Sequence, residues 1–333
     1  MGKVIKQERG ENWNAYNADC VEVMRSLPDE SIHFSMFSPP FAALYVYSNS
    51  DRDLGNCLDE VEFFEHFKFV IKELYRIIKA GRVVAVHCME MPRLKQRDGF
   101  IGVYDFRGDI VRHFESAGFQ YDGSVTIWKN PVTAMQRTKS IRLLHKQIKK
   151  DSTVSGWALP DYVCKFKKPG VNSEPVEGEF DRWFGDDSFN SEGRLSIDIW
   201  QKYASPVWMD IDPSDTLQYR SAKGEKDERH ICPLQKQPVE RCLQLWTNPG
   251  DIVFDPFGGI GTVVHCAVVA GRKGLQSELK GCYHDEAIKN CRLAEQVARN
   301  RSLFDRPLLA EFDTDEVATV PPGGDDSGDS FFG

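Results

Sequence analysis

Residues 252–278 constrain the fold more than any other stretch. The apolar run Ile252 to Phe254 leads into Asp255-Pro256-Phe257-Gly258-Gly259-Ile260-Gly261-Thr262. A helical run from Thr262 to Ala270 follows, and Gly274 to Glu278 is extended again. Strand, glycine turn, helix and strand in that order make the unit from which parallel sheets with helical crossovers are built. Glycines at 258, 259 and 261 let the backbone turn tightly and come close to a ligand. Such a turn lies at the carboxyl end of the sheet, where open α/β folds bind their ligands. No lysine follows the last glycine, so this is not a phosphate-gripping P-loop, and the spacing is not G-x-G-x-x-G. Glu278 closes the second strand, where an acid can accept hydrogen bonds from ribose hydroxyls.

The first half of the chain carries the same alternation. Asn14 to Ala18 predicts a strand ending at Asp19, with a helix through Val21, Val23, Met24 and Leu27. In SIHFSMF, residues 31–37, the alternation of Ile32, Phe34 and Met36 predicts a strand with these three on one face. Phe63, Phe64, Phe67, Val70, Ile71, Leu74 and Ile78 recur at helical spacing, with Gly81 as the expected helix end. Val83 to Cys88 is a continuous apolar run, as in a strand covered on both faces. A helix ending near Gly118 and a strand from Val125 to Trp128 complete the pattern, which breaks at Asn130-Pro131.

Residues 129–168 hold ten bases against two acids, about +8 within a chain whose formal net charge is −8. The bases Arg137, Lys139, Arg142, Lys146, Lys149 and Lys150 read as phosphate contacts. Residues 169–229 are irregular, and Trp183, Trp200 and Trp208 predict a structured insertion with a small core of its own. The expected organisation is 14–130 and 230–304 as one domain, 131–229 as an insertion and 305–333 as an acidic disordered tail. The overall acidity excludes a uniformly basic nucleic-acid coat. Nine cysteines without a C-x-x-C pair read as reduced thiols, not as a zinc ribbon or a disulfide framework. The opening MGKVIKQERGENWN has no apolar core, so a signal peptide is not expected, nor is a membrane span. A cytoplasmic protein is therefore expected. No His, Cys and Asp cluster has metal spacing, so no metal is expected.

A second motif, Ser38-Pro39-Pro40-Phe41, ends the strand 31–37. Two prolines stiffen the backbone and remove two N–H donors. The Ser38 hydroxyl and the Pro39 carbonyl remain as acceptors beside the aromatic face of Phe41. Such a corner suits a planar base bearing an exocyclic amine. Together the two motifs resemble the DNA amino-methyltransferases that use S-adenosylmethionine. SPPF at 38–41 resembles the family's catalytic (D/N/S)PP(Y/F) motif, and DPFGGIGT at 255–262 its cofactor loop. RKGLQSELKGCY at 272–283 resembles the segment bearing the cofactor-ribose acid, and NADC at 17–20 the start of the family pattern. HICPLQ at 230–235 resembles the segment before the loop that closes over the methionine moiety. The resemblance covers roughly residues 14–170 and 195–300. Its order, catalytic motif first and cofactor loop last, is that of the β class.

The resemblance implies a Rossmann-like α/β methyltransferase sheet with circularly permuted motif order and an inserted target-recognition region. It assigns Ser38, Pro39, Pro40 and Phe41 to catalysis. It assigns Asp19, Asp255, Pro256, Phe257, Gly258, Gly259, Gly261, Thr262 and Glu278 to the cofactor, with Asp19 at its adenine. S-adenosylmethionine is the implied cofactor and double-stranded DNA the implied partner. A partner restriction endonuclease and a homodimer are left open. Cytosine-C5 chemistry is rejected, because the only adjacent pairing is Cys232-Pro233, the reverse of the order a nucleophilic cysteine needs. In this family Ser at the first catalytic position leans toward cytosine N4, with adenine N6 as the alternative. A protein-glutamine methyltransferase would carry its glycine loop before the proline turn, and here it follows. A non-catalytic nucleic-acid binder that has kept the fold is ranked lower, since both motifs are intact. His87, in its apolar strand, reads as a packed core histidine, and Trp200, Trp208 and Trp246 as packing residues.

Overall fold

Strands that are apolar on both faces need a layer of helices above and below them. The computed structural model describes residues 4–40, 54–57, 59–93, 95–138, 141–176, 197–218 and 233–304. The first part of the chain forms β1 (Lys6–Arg9), β2 (Trp13–Asn17), α1 (Cys20–Ser26), β3 (Ile32–Phe37), α2 (Glu60–Ile77) and β4 (Ile78–Met89). A small hairpin of β5 (Met91–Arg93) and β6 (Gly102–Tyr104) encloses α3 (Lys95–Asp98). Then come α4 (Phe106–Ser116), β7 (Gln120–Ile127), α5 (Pro131–Thr138), α6 (Lys146–Asp151) and β8 (Asp161–Lys167). The remainder holds α7 (Ile197–Ala204), β9 (Val207–Trp208), α8 (Lys236–Trp246), β10 (Ile252–Asp255), α9 (Thr262–Val269), β11 (Lys273–Glu278) and α10 (Gly281–Phe304).

Nine strands form one sheet in the order β1-β2-β11-β10-β3-β4-β8-β7-β9. The central run β2, β11, β10, β3, β4 is parallel throughout, while β8 runs antiparallel between β4 and β7. Under one face α1, α2 and α4 bury Met24, Phe63, Phe67, Leu74, Ile110 and Phe114. On the other, α8 and α9 bury Val239, Leu243, Val263 and Ala267 against Phe34, Met36 and Val253. Aspartates start three of the helices. Asp19, Asp59 and Asp105 each accept backbone N–H bonds at the N-termini of α1, α2 and α4, which satisfies donors that a helix cannot pair internally.

Four expectations need correction. Gly81 does not end a helix. The helix stops at Ile77, and Gly81 lies inside β4 with φ of +73° and a backbone N–H to Lys168 O at 2.9 Å. A Cβ there would lie 2.6 Å from the Asn172 backbone, so only glycine fits. The irregularity around it shifts the β3–β4 register between Ile32 and Phe34, and Ile32 packs under α2, not beside Phe34 and Met36. The boundary at 131–229 cuts through the sheet, because β8 pairs with β4 over seven residue pairs and belongs to the same layer. Trp208 joins the main core beside Phe34 and Val239, so the insertion has no separate core around it, and Trp200 is exposed. Trp183 and the tail 305–333 lie outside the described residues.

Phe67 is fully buried and packs on Phe37, Phe63, Phe114 and Phe257. Phe67→Ala is expected to cost about 3–5 kcal/mol of stability, read as a lowered urea midpoint.

Candidate active site

The site grows out of one strand pair. β10 and β3 are parallel neighbours, with Val253 opposite Phe34 and Phe254 opposite Ser35. The buried Ser35 hydroxyl donates to Phe254 O at 2.8 Å and ties them together. Both strands therefore release their following residues at the same edge of the sheet. The glycine loop leaves β10 and the proline turn leaves β3, and both line one cavity of about 710 Å³. On the other side of β10, β11 delivers Glu278, and its partner β2 delivers Asp19. Asn17 Nδ2 donates to Glu278 O at 2.8 Å and to Leu279 O at 3.0 Å, holding these two strand ends in register.

The glycine loop is built for close approach. Gly259 has φ of +53°, and its N–H donates to Glu278 Oε2 at 2.8 Å. The second carboxylate oxygen accepts from Lys280 N at 2.7 Å. A carboxylate has about four acceptor directions, which lets one acid brace a loop and also face a ligand's hydroxyls. Gly258 donates to Ser277 O at 2.8 Å, and a Cβ on it would lie 2.7 Å from the Gln276 side chain. Phe257 faces inward onto Phe37 and Phe67, so the aromatic core under α2 supports the loop. Asp255 is buried, and its Oδ1 accepts from Phe257 N at 2.9 Å. Burial, with the Glu278 carboxylate adding to it, pushes its pKa up to about 8.

Of the residues expected at the cofactor, Asp19, Asp255, Pro256, Phe257, Gly258, Gly259, Thr262 and Glu278 line the cavity. Gly261 does not. It starts α9 with a bare face toward Ala287, where a Cβ would meet that side chain at 3.2 Å, so its part is helix packing. Asp19 caps α1 through Val21 N at 2.9 Å and Glu22 N at 3.3 Å. Ser38, Pro39 and Pro40 line the cavity, and Phe41 lies outside the described residues. His66, Val70, Leu234 and Tyr283 also line it, yet no motif marked them. They reach it from α2, from the approach to α8 and from α10, and only tertiary packing brings them there. Of HICPLQ, Pro233 and Leu234 are at the cavity and 230–232 lie outside the described residues.

The basic stretch splits in two. β7 ends and β8 begins at the cavity edge of the sheet, so residues 128–160 rise from that edge. Lys146, Lys149 and Lys150 are exposed on or beside α6, and Trp157 is 90% exposed nearby in sequence. Arg142 lies against Gly156, Arg137 is on α5, and Lys139 is outside the described residues. By contrast, Lys129 pairs with Asp161 and Lys165 with Asp122, both at 2.6 Å. Buried Lys168 donates to Ile78 O at the opposite edge. These three lysines serve the fold. His33, Glu174 and Asp251 also converge at that opposite edge, but Lys79 and Arg82 already pair with the two acids. Among the described residues the eight cysteines are free, and no helix is long and apolar enough to cross a membrane.

A parallel sheet of this strand order, with glycine loop and proline turn on adjacent strands, defines an α/β methyltransferase fold. The chain belongs to the DNA methylase family of N6 and N4 methyltransferases, whose family model matches residues 32–289. S-adenosylmethionine is the cofactor of that family. The type II methyltransferase M.BamHI of Bacillus amyloliquefaciens is 23% identical over 278 residues, 83% of this chain. The match spans 56% of M.BamHI, about half of that protein's length. M.PvuII of Proteus hauseri is 25% identical over 292 residues, 82% of this chain and 81% of that protein. The solved structure of the PvuII cytosine-N4-specific DNA methyltransferase superposes with a TM-score of 0.60 at 18% identity, covering 90% of this chain and 96% of that one. A DNA modification methylase of Thermus thermophilus, complexed with S-adenosyl-L-methionine, gives a TM-score of 0.59 at 20% identity over 83% and 91% of the two chains. These structural likenesses show the fold.

Two outcomes follow from the loop geometry. Gly259→Val places a branched side chain at a positive φ and disturbs the bond to Glu278. Calorimetry is expected to find cofactor binding lost, and unchanged affinity would contradict the assignment. Asp255 holds its proton in the folded state up to about pH 8 but releases it near pH 4 when unfolded. Its contribution to stability therefore falls as pH rises between those values. Asp255→Asn lacks that loss, so its melting temperature should gain on wild type from pH 5 to 8 and keep a constant lead above.

Proposed function

We propose that this chain moves a methyl group from S-adenosylmethionine to the exocyclic N4 amine of a cytosine flipped out of duplex DNA. The observation that carries this reading is the shared cavity: the loop Asp255–Gly259 and the turn Ser38–Pro40 line it together. When bound, the cofactor supplies a methyl group already activated on a sulfonium. The residues of the chain do the rest. Glu278 is suited to accept from ribose hydroxyls, and the open backbone at Gly258 and Gly259 leaves room beside it. Asp19 stands near Glu278 at the end expected to hold the adenine ring.

An exocyclic amine is a poor nucleophile because its lone pair is delocalised into the ring. The Ser38 hydroxyl and the Pro39 carbonyl would accept its two hydrogens, turn it toward tetrahedral geometry and stabilise the positive charge that develops. The prolines make this corner rigid before the base arrives. Flipping the base costs roughly a few kcal/mol, and stacking on Phe41 is part of what offsets it. The exposed bases of residues 131–160 stand at the same sheet edge and supply phosphate contacts to an otherwise acidic protein. The target-recognition region would then be 131–160 with 168–229, and β8 would belong to the catalytic sheet with 14–130 and 230–304. The neutral hydroxyl at Ser38, where a carboxylate or amide is the alternative, supports cytosine N4 over adenine N6.

Transfer of labelled methyl groups to duplex DNA, with mass spectrometry of the nucleosides, is expected to give N4-methylcytosine. N6-methyladenine would keep the mechanism and change the amine, while absence of methylated DNA would overturn the function. Ser38→Ala should lower kcat by about 10²–10³-fold, as for loss of one transition-state hydrogen-bonding group, with cofactor affinity retained. DNA affinity should fall steeply with salt, at a slope set by the number of phosphates contacted.

A further inference from the structure

The proline turn is not the last member of its polar chain. His87, near the end of β4, lies one residue past the Phe37–Val86 pair, at the level where β3 has become Ser38. Its Nδ1 is 3.4 Å from Ser38 Oγ. Its Nε2 is 3.5 Å from Asp161 Oδ2, at the start of β8. The other oxygen of Asp161 accepts from Lys129 Nζ at 2.6 Å. His87 and Asp161 are both buried, and His87 Nε2 has no hydrogen bond among the described residues. Four residues from separate parts of the chain thus run in a line from the cavity wall into the sheet edge.

We infer that His87, oriented by Asp161, is a positioning residue that sets the polarity of the Ser38 hydroxyl. The inference rests on the reading of Ser38 as acceptor for the target amine. A neutral imidazole carries one N–H, and which nitrogen bears it follows from the acceptor it meets. The Asp161 carboxylate faces Nε2 and draws the proton to that nitrogen. Nδ1 is then an acceptor, and Ser38 O–H must donate to it. The hydroxyl's lone pairs are left toward the cavity, where a base amine arrives as a donor. In the opposite tautomer Nδ1–H would compete with that amine for the same lone pairs. A hydroxyl can point either way, which a carboxylate in its place could not, so serine at this position needs a neighbour that fixes its direction.

Lys129 completes the device by keeping Asp161 an ionised acceptor. Burial alone would raise that carboxyl, but His87 and Lys129 outweigh it and hold the group below its ordinary pKa. The 3.4 and 3.5 Å separations are long for hydrogen bonds, as catalytic contacts often are before substrate closes the site. A histidine that only fills space would need neither an acid aimed at one nitrogen nor a hydroxyl at the other.

The test is steady-state methylation of duplex DNA by the full chain, with cofactor affinity measured on every variant. His87→Ala should lower kcat by roughly 10²-fold, the scale of one preorganised polar contact, with KM for DNA and cofactor affinity unchanged. His87→Asn places an amide oxygen where Nδ1 stood and should recover much of the loss. In a Ser38→Ala background, His87→Ala should cost nothing more, because the two act as one unit. Asp161→Asn should lower kcat as His87→Ala does, and it tests the same chain of contacts should the alanine variant fail to fold. Full activity of His87→Ala and Asp161→Asn beside an impaired Ser38→Ala would overturn this inference alone. Additive losses, with Asn at 87 no better than Ala, would do the same. Full activity of Ser38→Ala would instead remove the function on which the inference rests.

Discussion

Two strands whose bonded residues stand 219 positions apart, β3 and β10, lie side by side and parallel at the centre of the sheet. Their pairing decides everything at the cavity. Parallel strands end on the same side, so the proline turn and the glycine loop emerge together. The sheet order also reverses direction here. From β10 the order proceeds through β11 to β2 one way and through β3 to β4 the other. Open α/β sheets form their ligand crevice at such a point, because the loops on its two sides depart over opposite faces. The core serves this geometry directly. Phe257 anchors the glycine loop on Phe37 and Phe67, and Ser35 bonds β3 to the carbonyl of Phe254.

The charges are distributed by the same topology. Because β8 runs against its neighbours, its first residue, Asp161, stands at the cavity edge and its last, Lys167, at the far edge. A basic run that is continuous in sequence is therefore divided by the sheet. Residues up to Trp157 rise beside the cavity, whereas Lys168 is spent on the Ile78 carbonyl and Glu30. Three lysines in the run neutralise acids or cap carbonyls of the fold. The exposed ones that remain, on and around α6, are those placed to meet a polyanion. Local clustering of this kind lets a chain of net charge −8 approach a phosphate backbone without a basic coat.

Much of this was legible in the residues. The glycine loop and the apolar strands around it have short-range causes, namely tight turns and two-sided burial, and both appear as the pattern predicts. Gly81 misled because glycine marks a left-handed backbone and does not say whether a helix or a bulged strand uses it. The residues of β8 read as a strand, but its place between β4 and β7 is a tertiary fact with no local signature. His87 shows the same limit. In an apolar run a histidine reads as core, and its contacts with Ser38 and Asp161 depend on pairings between segments far apart in the chain. Gly261 belongs to the loop motif, yet it packs a helix and does not face the cavity.

A crystal structure with S-adenosylhomocysteine bound examines the central geometric claim without relying on turnover. The thioether product should occupy the cavity with its ribose hydroxyls on Glu278 and its sulfur turned toward Ser38 and Pro39. A ligand seated elsewhere, or one whose sulfur points away from the proline turn, would contradict the account.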